Sequence, residues 1–225
     1  KIGSSAFPAS SMTKIFIPKS VTTINAGSVT NSLFRACSPS LVIYCEAESA
    51  PSGWEQYWNY YADDKPLTVK YGQTMASTYN MLDKSKFSAS TTSHGVKFTN
   101  NGDGTVLCDG VMGEDKAWAS YYPSSTLSIT NGHKYYLRSN NSVVSISLQD
   151  FSYRDTSSIN SGSGIKKMSI AKETTSTGKI YISISKPQTG CSNELVKPEI
   201  FDLTAIFGAG NEPSTIAECD EYFGA

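Results

Sequence analysis

The chain has 225 residues, of which 39% are hydrophobic and only 17% charged, and its formal net charge is −1. A near-neutral chain without a stripe of Lys and Arg is not expected to bind nucleic acid. No apolar run is long enough to span a membrane, and residues Lys1–Ser5 lack the basic and apolar regions of a signal peptide. The length allows two ordinary domains, and a change of sequence pattern after Gly72 favours that division.

Residues 1–72 contain two phrases that recur. The phrase at Ile2–Phe7 returns at Ile24–Val29, and the phrase at Ser11–Pro18 is echoed at Ser40–Tyr44. A short period with apolar residues at fixed places is typical of a solenoid, in which each unit buries its apolar face against its neighbours. Because so few repeats are not expected to be stable alone, we expect this chain to be the C-terminal fragment of a longer protein.

The segment Ser40–Asn59 marks the end of the repeats. An alternating apolar pattern at its start predicts a half-buried strand, formed by Leu41, Ile43 and Cys45. Ser52 and Glu55 have the spacing of a capping box, which predicts a short helix after Pro51. A repeat strand is therefore expected to give way to a short aromatic helix.

Several aromatic residues follow this point: Trp54, Tyr57, Trp58, Tyr60 and Tyr61. They could form a platform on which sugars stack, or they could cover the last repeat, since the end of a solenoid must be covered. A turn at Asp63–Pro66 and a closing strand at Leu67–Tyr71 are expected to complete this domain.

The phrases at Ile2–Phe7, Ser11–Ile24 and Leu41–Ala47 resemble the BspA-type leucine-rich repeats of bacterial surface proteins, and Pro51–Asn59 resembles the segment that closes such arrays. Asn25–Gly27 departs from the usual Ile-Gly and indicates an irregular last repeat. The resemblance covers about the first third of the chain. It implies an adhesive or scaffolding repeat protein on the cell surface and brings no catalytic residues.

Residues 73–225 have a different pattern, with short alternating runs separated by turn residues. Asn101–Gly104 predicts a hairpin over Phe98–Val106, and Asn131-Gly132 predicts a second hairpin over Leu127–Leu137. Further strands are expected at Lys116–Tyr122, Val144–Leu148, Ile165–Ile170, Ile180–Ser185 and Leu195–Phe201. About eight or more strands of this kind predict a two-sheet jelly roll.

The end of the chain is expected to be helical. Asp202–Phe207 predicts one helical turn, and Thr215–Phe223 predicts a short helix with Thr215 and Glu218 as a capping pair.

This second part resembles a carbohydrate-binding-module-like jelly-roll domain. The resemblance lies in Phe98–Thr105, Ile129–Tyr135 and especially Phe201–Thr215. Such domains occur in phage tail and minor structural proteins and in surface proteins of gut Firmicutes. The shared residues are turn and closure residues, so the resemblance implies attachment or display without identifying a ligand.

Trp118, Tyr121 and Tyr122 are the candidate ligand-binding residues, because exposed aromatic rings on a jelly-roll face stack against sugar rings. The alternative is that strand alternation places Trp118 and Tyr122 in the core and leaves only Tyr121 outside. The same question applies to Tyr135, Tyr136, Tyr153 and Tyr181, of which we expect at least some to be exposed.

Motifs for metal binding and catalysis are absent from the sequence. Asp103 could belong to a structural calcium site, but the spacing around it lacks the acidic ladder of a calcium loop and predicts a plain hairpin turn. His94 and His133 are isolated in apparent turns, and the five cysteines have no metal-binding spacing, so we expect them to be mostly buried free thiols. No catalytic motif and no cofactor site is expected.

The sequence therefore predicts a mainly β chain with two domains. These are the end of a leucine-rich-repeat solenoid at residues 1–72 and a β-sandwich jelly roll with a short C-terminal helix at residues 73–225. The expected function is non-catalytic adhesion at the bacterial cell surface or outside the cell, with a glycan or a host or cell-surface protein as the partner. The alternative is a phage or prophage tail module in the virion, which would form oligomers, and a glycoside-active enzyme is a third hypothesis.

Overall fold

A computed structural model describes residues 1–123, 127–150, 165–171, 174–185 and 190–224. The chain is mainly β with a few short helices. It divides into two compact units, Lys1–Thr78 and Tyr79–Ala225, so the boundary lies within helix α1 (Met75–Tyr79), later than the predicted boundary after Gly72. Among the described residues, no helix combines the length and apolar character needed to cross a membrane.

The first unit is built on parallel pairing between the recurring phrases. Its strands are β1 (Lys14–Ile17), β2 (Val42–Cys45), β3 (Tyr60–Ala62), β4 (Lys65–Pro66) and β5 (Thr68–Lys70). Strands β1, β2 and β5 form a parallel sheet in that order, while β3 and β4 form an antiparallel pair. A second set of parallel bridges joins Ile2 to Ile24 and Ile24 to Trp54. Both recurring phrases of the first copy thus lie beside their counterparts in the second.

Two tryptophans belong to the core of this unit. Trp54 and Trp58 are buried and meet edge to face, with ring centroids 4.6 Å apart, and Trp54 Nε1 donates to the Val21 carbonyl at 2.9 Å. Tyr57 and Tyr60 are only partly buried. These tryptophans are therefore packing residues, as the covering interpretation requires, and are not available as a sugar platform.

The helix predicted after Pro51 is wrong, because residues 52–53 and 56–59 form turns and Trp54 between them forms a β-bridge with Ile24. Glu55 does not complete a capping box; its carboxylate accepts a hydrogen bond from the Ala26 amide. Ile24 N donates to Gly53 O, and Glu55 N donates to Ile24 O, each at 3.1 Å. The bridge to Ile24 thus uses the Gly53 carbonyl, which a helix would need for its backbone hydrogen bonds, and the Glu55 amide, which a capping box would need.

The second unit contains the remaining strands, whose bounds are β6 (Thr91–Ser93), β7 (Val96–Asn100), β8 (Val106–Val111), β9 (Trp118–Tyr121), β10 (Leu127–Ile129), β11 (Lys134–Arg138), β12 (Ser145–Asp150), β13 (Lys166–Ile170), β14 (Thr175–Ser185), β15 (Gly190–Val196) and β16 (Glu199–Asp202). One sheet has the order β15-β8-β7-β6, and a second has the order β13-β11-β16. In the third sheet, β14 pairs with β12 on one side and with both β9 and β10 on the other.

The long strand β14 connects the packing of these three sheets. Ile180 belongs to a buried cluster that includes Tyr135 and Ile200 of the second sheet. Ile182 belongs to a buried cluster that includes Phe98 and Val106 of the first sheet. Since residues two apart on a strand point to the same side, one face of the β14 sheet packs against both of the other sheets.

The predicted hairpin over Phe98–Val106 is confirmed, with β7 and β8 antiparallel around a turn in which Gly102 and Gly104 have φ angles of 79° and 98°. Asp103 stabilises this turn: its Oδ1 accepts from Thr105 N at 2.9 Å and from Thr105 Oγ1 at 2.6 Å. These bonds lower the pKa of Asp103. The carboxylate therefore has the turn role that the spacing predicted.

The predicted hairpin over Leu127–Leu137 is wrong. Strand β10 pairs with β14, whereas β11 pairs with β13 and β16. Gly132 does make a turn, with φ 78°, but its amide donates to Ala171 O and not across a hairpin. Ile129 of β10 and Tyr135 of β11 lie in different sheets and belong to the same buried cluster, so the turn connects one sheet to another.

The expected strand at Leu195–Phe201 is two strands, β15 and β16, which pair with β8 and β11 in different sheets. They are separated at Lys197-Pro198, where proline has no amide to donate to a ladder.

The helical ending is confirmed as α2 (Leu203–Phe207) and α3 (Ile216–Phe223). Asp202 caps α2 by accepting from Ala205 N at 2.9 Å. Thr215 caps α3 by accepting from Glu218 N at 3.1 Å, but the Glu218 carboxylate accepts from Ser214 N and not from Thr215. The first bond of the capping box therefore forms, while the Glu218 side chain binds the amide one residue before the cap instead of the amide of the cap itself.

A buried arginine holds the C-terminal helix onto β11. The side chains of Arg138 and Glu199 are 4% and 1% exposed, and Arg138 Nε donates to Glu199 Oε2 at 2.6 Å. The guanidinium also donates to Phe223 O at 3.1 Å and to Gly224 O, which satisfies carbonyls at the end of α3. Nearby, Asp220 pairs with Lys166 at 2.7 Å.

The stability of this unit should fall in acid because of Glu199 and Asp220. Burial raises the pKa of Glu199, but hydrogen bonds from Lys197 and Asn140 and the charge of Arg138 outweigh it, and the net pKa is lowered. For Asp220, burial is likewise outweighed by hydrogen bonds from Lys166 and Tyr136. Groups with a lowered folded pKa stabilise fully above their ordinary values, about 4, and lose that contribution as the pH falls through the folded values.

We therefore expect the melting temperature of the second unit to be level near neutral pH and to drop below about pH 4. Scanning calorimetry against pH measures this drop, and Asp220→Asn should make it shallower. An acid dependence that is identical in wild type and Asp220→Asn would show that this carboxylate does not contribute.

The five cysteines are free, as predicted, with four buried and Cys191 half-buried. Burial is the main cause that raises the pKa of the Cys108 thiol to about 12 and that of Cys191 to about 11. Protonated thiols are poor nucleophiles, so Cys108 and Cys191 act as packing groups.

Candidate functional site

A groove of about 560 Å³ runs between the edge strands β6 and β9 of the second unit. One wall is formed by residues 88, 89 and 91–94, and the other contains all three candidate residues of the sequence analysis. The lining residues are Ser88, Ala89, Thr91, Thr92, Ser93, His94, Trp118, Ser120, Tyr121 and Tyr122. The fold therefore brings the predicted residues together in one concave site.

The aromatic residues at positions 118–122 match neither interpretation of the sequence fully: Tyr121 is buried although it was a candidate binding residue, and Trp118 and Tyr122 are exposed and not in the core. Trp118 is 51% exposed and Tyr122 is 36% exposed, whereas Tyr121 is only 1% exposed. Strand β9 pairs Tyr121 with Ile182 and Ala119 with Ile184, and directly paired residues point to the same side of a sheet. Since those isoleucines face the core, Tyr121 and Ala119 do too.

Tyr121 is consequently a core residue at the base of the groove. Its ring stacks on Phe98 with centroids 5.9 Å apart, and its hydroxyl donates to Ser88 O at 2.5 Å. Burial raises the pKa of its phenol. Trp118 and Tyr122 are the two aromatic residues of the predicted set that a ligand can reach.

Two further hydrogen bonds join the walls of the groove. Ser120 N donates to Ser93 Oγ at 3.2 Å, and His94 Nδ1 lies 2.6 Å from Trp118 O. A carbonyl oxygen only accepts, so Nδ1 carries the proton, and Nε2 of the neutral ring is an acceptor. The His94 ring also meets Trp118 edge to face at 5.0 Å. His94 thus fixes Trp118 from the opposite wall.

Tyr122 is held at the other end of the groove. Its ring meets Tyr181 edge to face, with centroids 4.4 Å apart, and Lys179 Nζ lies 5.7 Å from the Tyr122 ring centroid. Burial, followed by the hydrogen bond and proximity of Tyr122, raises the pKa of Tyr181. These contacts restrain Tyr122 from two sides and leave part of its surface open.

Three of the four other tyrosines considered in the sequence analysis belong to the core. Tyr135, Tyr136 and Tyr181 are buried, and Tyr153 lies outside the described residues, so the expectation that some of the four are exposed is not met by the three described. Tyr135 Oη accepts from Thr130 N at 2.9 Å, and Tyr136 Oη donates to Asp220 Oδ1 at 2.7 Å. Buried hydroxyls with partners of this kind explain why tyrosines occupy the core.

One side-chain pair was not foreseen in the sequence. His133 Nδ1 lies 2.8 Å from Asp202 Oδ2 although the residues are far apart in the chain. Asp202 was recognisable as the cap of α2, but nothing near His133 signals its partner. Asp202 also accepts from Ala205 N, so the pair lies at the start of α2.

A second depression, of about 540 Å³, is lined by Arg138, Asn140, Asn141, Ser142, Ile165, Lys166 and Lys197. Its cations are already paired: Arg138 and Lys197 contact Glu199, and Lys166 contacts Asp220. It is therefore less suited to a ligand than the groove. In the part of the chain that the structure describes, no cluster of three or more His, Cys, Asp or Glu could hold a metal ion.

The groove offers a direct spectroscopic check, because Trp118 is exposed while Trp54 and Trp58 are buried. We expect iodide to quench one of the three tryptophans and Trp118→Phe to remove most of the quenchable emission. Similar quenching in wild type and Trp118→Phe would contradict the exposure described for β9.

No protein-family model matches this sequence, and no curated protein is significantly similar to it.

Proposed function

We propose that this chain is a non-catalytic, glycan-binding adhesion protein of the bacterial cell surface. The supporting observation is the groove between β6 and β9, in which Trp118 and Tyr122 present exposed rings beside a wall of hydroxyl groups. Aromatic faces pack against the C–H faces of sugars, while hydroxyl and imidazole groups exchange hydrogen bonds with sugar hydroxyls.

The fold supports the two-part architecture of the proposal. Parallel pairing between the recurring phrases of residues 1–72 is what the end of a leucine-rich-repeat array requires. The described strands of the second unit pair in three sheets and not in the two that were predicted, but the buried clusters shared through β14 provide the sheet-on-sheet packing that the jelly-roll proposal needs. We propose that the repeats serve as a spacer or as a second binding face.

The alternative is a phage or prophage tail module. It is favoured by exposed apolar side chains on the strands, including Val111 on β8 and Leu195 on β15, which a neighbouring subunit could cover. This alternative requires a stable oligomer, whereas the adhesion proposal does not.

A glycan array probed with the 225-residue chain tests the proposal. We expect binding to a set of glycans, at least about tenfold weaker binding by Trp118→Ala, and no loss with Tyr222→Ala. Tyr222 is the matched control, since it is an aromatic residue 50% exposed in the same unit and outside the groove. Absence of binding together with a stable trimer in solution would overturn the adhesion proposal and favour the tail module.

A further inference from the structure

The groove has features that select among glycans, and the following inference depends on the proposed function. We infer that its ligand is a neutral, linear oligosaccharide that lies along β9 with sugar units on both Trp118 and Tyr122. Monosaccharides and acidic glycans are disfavoured. Three observations carry this inference: the spacing of the two rings, the charge of the lining and the hydrogen-bonding groups between the rings.

The spacing of Trp118 and Tyr122 requires an extended ligand. The two residues lie four positions apart, so their side chains leave the same face of β9 or its direct continuation. At about 3.3 Å per residue, their Cα atoms are separated by about 13 Å. This distance exceeds the length of one pyranose ring, so a ligand that contacts both aromatic side chains has more than one sugar unit.

The contacts of each ring keep this spacing fixed. His94 positions Trp118 from the β6 wall, and Tyr181 positions Tyr122 from β14. Because neither ring has to be ordered on binding, the two stacking positions are set before the ligand arrives.

The charge of the lining favours a neutral ligand. None of the lining residues is Asp, Glu, Lys or Arg. Two cations lie near the groove without lining it: Lys179 Nζ is 5.7 Å from the Tyr122 ring centroid, and Lys116 Nζ is paired with Asp115 Oδ2 at 2.6 Å. A uronate or sulfate in the groove would lose hydration without gaining a charged partner in its walls.

Between the rings, the groove offers hydrogen-bonding groups suited to sugar hydroxyls. Thr91 and Thr92 are exposed on the β6 wall, and each hydroxyl both donates and accepts. His94 Nε2 adds an acceptor beside Trp118, where it can take a hydrogen bond from a hydroxyl of the stacked sugar.

Calorimetric titration of the 225-residue chain tests the inference. The neutral probes are cello-, malto- and manno-oligosaccharides from mono- to pentasaccharide, and the acidic probes are oligogalacturonides of the same lengths. Any glycan that binds on the array is added as a short and a long oligosaccharide, each in a neutral and an acidic form. We expect at least one neutral series to gain about tenfold or more in affinity between the mono- and the trisaccharide. Affinity should be unchanged between about 50 mM and about 500 mM NaCl, because no charged pair is screened.

Variants connect the length dependence to the two rings. Tyr122→Ala and Trp118→Ala should each flatten the gain with chain length, whereas Tyr222→Ala should leave it intact. A preference for the acidic series, a salt-sensitive affinity or equal affinity for mono- and trisaccharide would overturn this inference while leaving glycan binding in place. Absence of binding to every probe and every array glycan would instead overturn the proposed function.

Discussion

Replacing Arg138 with Met is expected to lower the free energy of unfolding of the second unit by about 3–5 kcal/mol. The substitution removes the partner of Glu199, whose side chain is nearly inaccessible to water, and leaves that carboxylate without its closest cation. It also removes the donors to Phe223 O and Gly224 O, so the end of α3 loses its attachment to β11. Both losses act on buried polar groups, whose desolvation is no longer compensated.

The matched control is Arg35→Met in the first unit. Arg35 also pairs with a carboxylate, Asp63 at 3.2 Å, but both side chains are substantially exposed, so its loss should cost no more than about 1 kcal/mol. Scanning calorimetry suits this comparison because the two units can give separate transitions. Equal effects of the two substitutions would contradict the structural role of the buried pair.

A Gly110→Ala substitution should destabilise the sheet β15-β8-β7-β6 by about 3 kcal/mol or more, since steric overlap and backbone strain act together. Gly110 has a φ of 127°, which side-chain-bearing residues rarely adopt. A Cβ at this position would overlap Gly95 O and would lie 3.2 Å from Val96 Cα, both backbone atoms of the adjacent chain segment. Neither atom can move without disturbing the pairing of β7 with β8.

Gly102→Ala separates strain from overlap. Gly102 also has a positive φ, 79°, but nothing lies within 4 Å of a Cβ built there. Its substitution should cost only the conformational term, about 1–2 kcal/mol. If the two alanine variants had the same melting temperature, the close approach at Gly110 would not be a source of instability.

Local chemistry in the sequence was sufficient to predict the turns and caps. The Asn-Gly-Asp-Gly run produced a hairpin because its glycines and Asp103 act within a few residues of one another. Thr215 capped α3 for the same reason. By contrast, Glu55 found a partner at Ala26, so a local capping pattern there did not produce a helix.

A strand distant in the sequence determines which face of β9 is buried. Alternation correctly separated Tyr121 from Trp118 and Tyr122, but the choice of the inward face is set by pairing with Ile182 and Ile184 of β14. The pattern of one strand contains no information on that pairing, so the sequence left two assignments open, and the one that places Trp118 and Tyr122 in the core is wrong. As a result, Tyr121→Ala would test core packing, while Trp118→Ala tests the groove.

Only one of the two walls of the candidate site could be predicted from the sequence. Its aromatic wall is contiguous in sequence and was recognised from Trp118–Tyr122. The opposite wall, with Thr91, Ser93 and His94, has no motif, and it joins the site because the edges of two sheets meet at the Ser93–Ser120 hydrogen bond.

Protection of Trp118 from iodide by a bound glycan tests the central claim most directly. With the strongest array hit at saturation, we predict that the quenchable tryptophan emission of the wild-type chain falls to the level seen in Trp118→Phe. The buried Trp54 and Trp58 provide the internal reference. A glycan that binds with full affinity while Trp118 stays open to iodide would contradict the account and place the binding site outside the groove.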